Sequence, residues 1–165
     1  MKVIVQRVSE ASVSVSGHLV GQIHKGLCVL VGIGNDDTSK DVEYISRKLL
    51  NVRLFPHPET KKSWDKNVVQ IDGGILLISQ FTLCHVFKGN KPDFHNAMPG
   101  ESAKALFDEL TERMRRQYIS ERIATGQFGS YMDVRIANDG PVTVSFDSRD
   151  VGGSGSGERG GTSGS

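Results

Sequence analysis

The chain has 165 residues, of which 37% are apolar and 24% charged, with a formal net charge of +1. That length suits one domain, the composition is ordinary for a globular protein, and the near-neutral charge offers no global field for a polyanion. The longest apolar run, Gly26 to Gly34, falls far short of the ~20 residues of a membrane helix, and two cysteines are too few for a disulfide framework or a zinc site.

Met1–Arg7 alternates polar and apolar residues and lacks the apolar stretch of a signal peptide, so it reads as a first strand of a cytoplasmic protein. Val3, Val5 and Val8 open a β-rich start. Ala11–Ser16 alternates strictly over Val13 and Val15, and Gly17-His18 turns the chain into Leu19–Ile23 as a hairpin. Leu27–Ile33 is continuously apolar, which predicts a strand buried on both faces. Asp36 to Ser39 supplies helix caps, and Val42, Ile45, Leu49 and Val52 recur at helical spacing. A helix is therefore predicted over Ser39–Asn51, ended by Pro56 and Pro58. Residues 56–67 read as a polar loop with Trp64 folded back on the body, and Asp72-Gly73-Gly74 as a hairpin turn.

Ile75–Leu83 reads as a second buried strand that closes on Ser79, Gln80 and Thr82, followed by a loop from His85 to Gly100. Ala103, Leu106, Leu110, Met114 and Tyr118 write a second helix, with Ser102 as its cap. Gly126–Gly129 is a loop, and Tyr131–Ile136 with Val142–Phe146 reads as a final hairpin around Asn138–Pro141. The domain spans 1–149; residues 150–165 are largely Gly and Ser and are expected to be a disordered tail. Two helices cannot cover both faces of seven or so strands. The expected class is α/β, two packed sheets with the helices on one side.

Sites for common chemistry are scarce. His18, His24, His57, His85 and His95 have no metal-ligand spacing, so neither a metal nor a cofactor is expected. Cys84 and His85 are adjacent, and neighbours on a strand face opposite ways, which excludes a thiolate–imidazolium pair there. There is no G-x-S-x-G elbow, and Gly32-Ile33-Gly34 lacks the third glycine of a dinucleotide site. Asp93 and His95 lie two apart in a loop and read as surface neighbours. Arg113, Arg115, Arg116 and Arg122 suit a helix C-terminus, so charge alone does not argue for RNA.

Two segments carry more. Ser79-Gln80-Phe81-Thr82-Leu83 ends an apolar strand on polar groups, either a solvated strand end or a pocket wall offering N–H groups and a carboxamide. Asn138-Asp139-Gly140-Pro141-Val142-Thr143 is either a plain turn or a rigid device whose carbonyls crowd a ligand.

With the opening Met1–Val8, Lys88–Phe94 and Phe128-Gly129-Ser130-Tyr131-Met132, these segments resemble the D-aminoacyl-tRNA deacylase family over essentially all of residues 1–149. Ser130 stands where alanine is common, and the Gly/Ser tail is foreign to the short members of the family. The resemblance implies a three-layer β/β/α fold and a homodimer acting on the 3′-terminal adenosine and aminoacyl ester of tRNA. Gly140-Pro141 matches a Gly-cisPro pair that enters the partner's site and excludes L side chains sterically, braced by Arg7. Glycine, having no side chain, would pass that filter. Ser79 and Gln80 would line the substrate wall and Phe128, Gly129 and Met132 the adenine side, while the N–H groups of Phe81 and Thr82 would bind the developing oxyanion. Thr82 as nucleophile lacks a base; the substrate's own 2′-hydroxyl, assisting water, is the family's alternative. Rival readings are an L-specific paralogue, disfavoured by Ser79–Thr82 and Arg7, a nucleic-acid-binding or replication-associated module without activity, and a general esterase, disfavoured by the missing triad.

Overall fold

The computed structural model describes residues 1–150; the tail from Val151 onward, read from sequence as disordered, lies outside the described residues. Eight strands and two helices follow in order: β1 (Lys2–Val15), β2 (His18–Ile23), β3 (Gly26–Gly32), α1 (Ser39–Asn51), β4 (Gly74–Ser79), β5 (Val86–Lys88), β6 (Lys91–Asp93), α2 (Gly100–Gln117), β7 (Ile123–Thr125) and β8 (Asp133–Asp147). Six of the strands form one sheet in the order β2-β1-β3-β4-β7, with β8 on β1, while β5 and β6 make a separate ribbon. The result is mixed α/β. β2 curls round towards β7: a Cβ on Gly21 would lie 2.5 Å from the carbonyl of Thr125, so the sheet nearly closes.

Period-two alternation divides the apolar residues between the two faces of this sheet. Val3, Val5, Leu27, Val29, Val31, Ile75 and Leu77 face a core shared with Val42, Ile45 and Leu49 of α1 and Phe107, Leu110 and Met114 of α2. Cys28, Leu76 and Ile78 face a second core inside the curl, with Val8, Ala11, Val13 and Ile23. The predicted run Leu27–Ile33 is apolar because both faces of β3 are covered, although the strand itself ends at Gly32. On β1 the buried set changes from one core to the other between Val5 and Val8, where irregularities interrupt the β1–β8 ladder.

α1 has the predicted bounds. Thr38 caps it in a reciprocal box with Asp41. The Thr38 N–H donates to the Asp41 carboxylate at 2.8 Å, and the Thr38 hydroxyl accepts from the Lys40 N–H at 3.3 Å. α2 begins earlier than its predicted cap. Pro99 precedes it without a side-chain cap and Ser102 lies inside the helix. Arg115 and Arg116 do sit in its last turn, where the macrodipole favours cations.

Four other expectations change. Asp72–Gly74 is a turn but not a hairpin turn, because β4 pairs parallel to β3 and no strand immediately precedes it. The second buried strand stops at Ser79, and Phe81–Cys84 forms a 3-10 turn. The loop after His85 contains the β5–β6 ribbon. The last two strands are one: both halves of β8 pair with β1, and the register passes from Gln6↔Thr143 to Val8↔Asn138. Residues 139–142 thus bulge out opposite Arg7. Turn residues in the sequence are equally compatible with a bulge, and only the shared partner strand distinguishes the two.

Candidate active site

β3 and β4 run parallel, Val31 opposite Ser79. A cavity of about 520 Å³ opens beyond their C-terminal ends, the usual place for a ligand beside parallel strands. One wall is Ile78, Ser79, Gln80 and Phe81; the other is Phe128 through Met132 with Val134. Phe94, Met98 and the start of α2 at Gly100 and Ala103 complete it. Two segments almost fifty residues apart in sequence, one singled out from residue types and the other from the family resemblance, are brought to one cavity.

The wall leaves β4 by a fixed route. The Gln80 N–H donates to the Val31 carbonyl at 2.7 Å, and the chain then tightens into the 3-10 turn. Gly32 makes room for that turn. A Cβ there would stand 2.7 Å from the Cβ of Leu83 and 3.1 Å from the Gln80 carbonyl oxygen. This role was missed in the sequence, where Gly32 was weighed only as part of a dinucleotide motif.

At the start of any helical turn the first N–H groups lack intrahelical acceptors. Here Leu83 N–H donates to Gln80 and His85 N–H to Thr82, whereas the N–H groups of Phe81 and Thr82 have no acceptor among the described residues. The Gln80 carboxamide donates to the Thr82 hydroxyl at 2.5 Å, and Thr82 itself does not line the cavity. The ring Nδ1 of His85 lies 2.8 Å from the Thr82 carbonyl, and among the described residues the Thr82 hydroxyl has only the Gln80 carboxamide as a hydrogen-bond partner.

Aromatic contacts shape the mouth. Phe81, 58% exposed, meets Phe94 edge to face at 5.1 Å between ring centres, and Phe128 packs against Phe107 at 5.8 Å. Both separations suit favourable aromatic pairing. Tyr131 is 97% exposed at the rim. Phe94, Tyr131 and Met98 were not assigned to the site from sequence; Phe94 and Tyr131 lay within recognised motifs, while Met98 needed the tertiary fold.

Arg7, Gly140 and Pro141 do not line this cavity within one chain. The Gly140–Pro141 peptide is cis, and Gly140 has φ +127°, which side-chain-bearing residues rarely adopt. Arg7 sits under the bulge. Its Nε donates to the Asp139 carbonyl at 3.1 Å and lies 3.2 Å from the Asp139 carboxylate, and its Nη1 donates to the Leu54 carbonyl at 2.8 Å.

Asp93 contacts both His95 and Lys88, and these hydrogen bonds, His95 first, hold its carboxyl well below the usual range. Neither Asp93 nor His95 lines the cavity, although Phe94 between them does. Cys84 is buried and His85 exposed. Burial, then the negative charge of Asp37, pushes the Cys84 thiol up, opposite to what a nucleophile needs. Among the described residues no group of three or more His, Cys, Asp or Glu is placed to hold a metal, and no helix is long and apolar enough to cross a membrane.

Residues 4–147 match the family described as D-Tyr-tRNA(Tyr) deacylase. The chain is 54% identical over 149 residues to D-aminoacyl-tRNA deacylase 1 of Leishmania major, covering 90% of this chain and 98% of that protein. It is 49% identical over 148 residues to D-aminoacyl-tRNA deacylase 1 of Homo sapiens, covering 90% and 70%. A solved structure described as c-Myc DNA Unwinding Element Binding Protein superposes with TM-score 0.86 at 49% identity, covering 89% of this chain and 98% of that one. Another, described as a probable eukaryotic D-amino acid tRNA deacylase, shares the fold with TM-score 0.78 at 20% identity, covering 88% and 98%.

Proposed function

The chain belongs to the D-Tyr-tRNA(Tyr) deacylase family, and on that premise we propose that its cavity holds the aminoacylated 3′-adenosine of tRNA and that a second copy supplies the chirality filter. It is an enzyme, a hydrolase of the D-aminoacyl-tRNA deacylase class. The substrates we assign are D-aminoacyl-tRNA and glycyl-tRNA mischarged on tRNA(Ala). In the reaction, water adds to the ester carbonyl carbon, and the bond to the ribose oxygen then breaks. That oxygen takes a proton, and free tRNA leaves with the D-amino acid or glycine. The protein contributes position and two backbone donors, Phe81 and Thr82, whose N–H groups meet the oxygen as it becomes negative. Ser79 and Gln80 hold the ribose end and Phe128, Gly129 and Met132 the adenine side. The observation that carries this reading is the cavity between these two segments, lined by Phe81, whose N–H, like that of Thr82 next to it, has no acceptor among the described residues.

The Thr82 hydroxyl, already accepting from Gln80 and without an adjoining base, serves the wall's structure and is not the nucleophile. Gly140 and Pro141, projecting on a bulge outside their own chain's cavity, would enter a partner's, with Arg7 as brace. Among the described residues β8 pairs only with β1, so its other edge is open to a second subunit. With both halves of the curled sheet counted as layers, the helices make the third of a β/β/α sandwich. We place the domain at 1–149 and the protein in the cytoplasm.

Release of amino acid from D-Tyr-tRNA, L-Tyr-tRNA and Gly-tRNA tests the reading, with Thr82→Ala and Pro141→Ala alongside. The D and glycyl esters should be cleaved and the L ester spared, with Thr82→Ala active. If all three esters survive the folded dimer, the deacylase reading fails. The second reading, a nucleic-acid-binding module suggested by the name of the solved relative, then takes its place.

A further inference from the structure

The loop after α1 was expected to fold its tryptophan onto the body, and it does not: Trp64 is 58% exposed. The loop is nevertheless well tied. Backbone hydrogen bonds join Phe55 and Lys66 in both directions at 3.0 and 2.9 Å, and His57 N–H donates to the Lys62 carbonyl at 2.8 Å. The His57 ring accepts from the N–H groups of Glu59 and Thr60 at 3.1 and 3.2 Å, and Phe55 anchors the base in the core. A fixed loop thus presents a large aromatic ring to solvent among cations. Between Arg53 and Lys66 there are four Lys or Arg against two carboxylates. Asp65 is shared between Lys62 and Lys66 at 3.8 and 3.4 Å, while Arg53 and Lys61 meet no carboxylate among the described residues.

The loop is also joined to the bulge. One guanidinium, that of Arg7, donates to Leu54 at the loop's base and to Asp139 beside Gly140. If the bulge enters a partner's cavity, the loop comes to the rim of that cavity, where the RNA leaves the terminal adenosine. We propose that the Arg53–Lys66 loop binds the unpaired nucleotides preceding that adenosine, a base stacking on Trp64 and phosphates meeting Lys61, Lys62 and Arg53. This rests on the deacylase reading for the path of the RNA. Stacking of single-stranded bases on aromatic side chains beside cations is a general mode of sequence-tolerant binding.

Trp64 is the chain's one tryptophan, so its emission reports this loop alone. The full-length protein is titrated with an RNA hairpin whose unpaired 3′ tail carries D-alanine through a non-hydrolysable amide, and separately with 3′-D-alanylamino-adenosine alone. The hairpin should change the emission saturably, with an affinity that falls as salt rises; the nucleoside should not. In kinetics, Trp64→Ala should raise KM for D-aminoacyl-tRNA on the order of ten-fold, the scale of one base–aromatic stack. It should leave kcat and the hydrolysis of D-aminoacyl-adenosine in place, which a folding defect would not, and Trp64→Phe should restore KM. Unchanged emission on saturation with the hairpin overturns the proposal. So does emission that follows dimer dissociation instead, which would assign Trp64 to the subunit interface. If wild-type protein cleaves no ester, the deacylase reading fails, and the hairpin titration still decides whether this loop contacts RNA.

Discussion

Replacing Phe81 with proline isolates the backbone donor on which the mechanism turns. Phe81 is the first residue of its 3-10 turn, and its N–H has no acceptor among the described residues, so proline deletes a donor that the fold does not use. The preceding residue, Gln80, has φ -145° and ψ 81°. Those angles lie outside the helical region that a following proline disfavours. Phe81→Ala is the matched control, because both variants lose the ring. That ring is 58% exposed and its main partner is Phe94 at 5.1 Å. Its removal should therefore cost about 0.5–1.5 kcal/mol. Loss of one oxyanion donor costs about 2.7–4 kcal/mol in the transition state, or roughly 10²–10³ in rate. Single-turnover release of D-tyrosine from D-Tyr-tRNA, with enzyme in excess, should be slower in Phe81→Pro than in Phe81→Ala by that factor. Thermal unfolding of the two variants should differ little. Equal rates in two folded variants would refute the assignment of the Phe81 N–H and leave the oxyanion to Thr82 or to water.

Arg7→Ala leaves the carbonyls of Leu54 and Asp139 without their donor, at a cost of roughly 2–3 kcal/mol for the pair. A drop in the urea midpoint of about 1–2 M should register it, and protection of L-Tyr-tRNA should weaken in parallel. Asp41 is partly buried, which alone would raise its pKa, but hydrogen bonds from Ser148 and the Thr38 N–H and the positive charge at Met1 outweigh this and lower it from 3.8. Its contribution is therefore complete above the unfolded value and lost as pH falls below it, so unfolding midpoints of wild type and Asp41→Asn should differ near pH 6 and converge towards pH 3. Burial pushes the Cys28 thiol up to about 11 and raises that of Cys84 as well. A thiol-specific disulfide reagent at pH 8 should therefore titrate neither cysteine until the protein unfolds.

What could be read without a structure was whatever depends on neighbours in sequence. The bounds of α1 follow from a cap and a helical period of about 3.6 residues, and the double burial of Leu27–Val31 from an apolar run too short for a helix of that kind. Ser79–Phe81 was conspicuous for its residue types and Phe128–Met132 through the family resemblance, but nothing in either segment says that they line one cavity. That depends on the parallel pairing of β3 with β4 and on the curl of the sheet, both made by contacts far apart in the chain. The same limit explains the errors. Asn138–Pro141 has the composition of a hairpin turn, and only β1, pairing with both flanks, makes it a bulge held over Arg7. Trp64 was expected to fold back on the body, as contact of a large ring with apolar surface would favour. Hydrogen bonds between Phe55 and Lys66, and between His57 and its neighbours, set the loop's path instead, and along that path the ring faces solvent. Local periodicity and capping are properties of the sequence by itself. Which surfaces meet, and which side chains are left without a partner, are properties of the folded, nearly closed sheet.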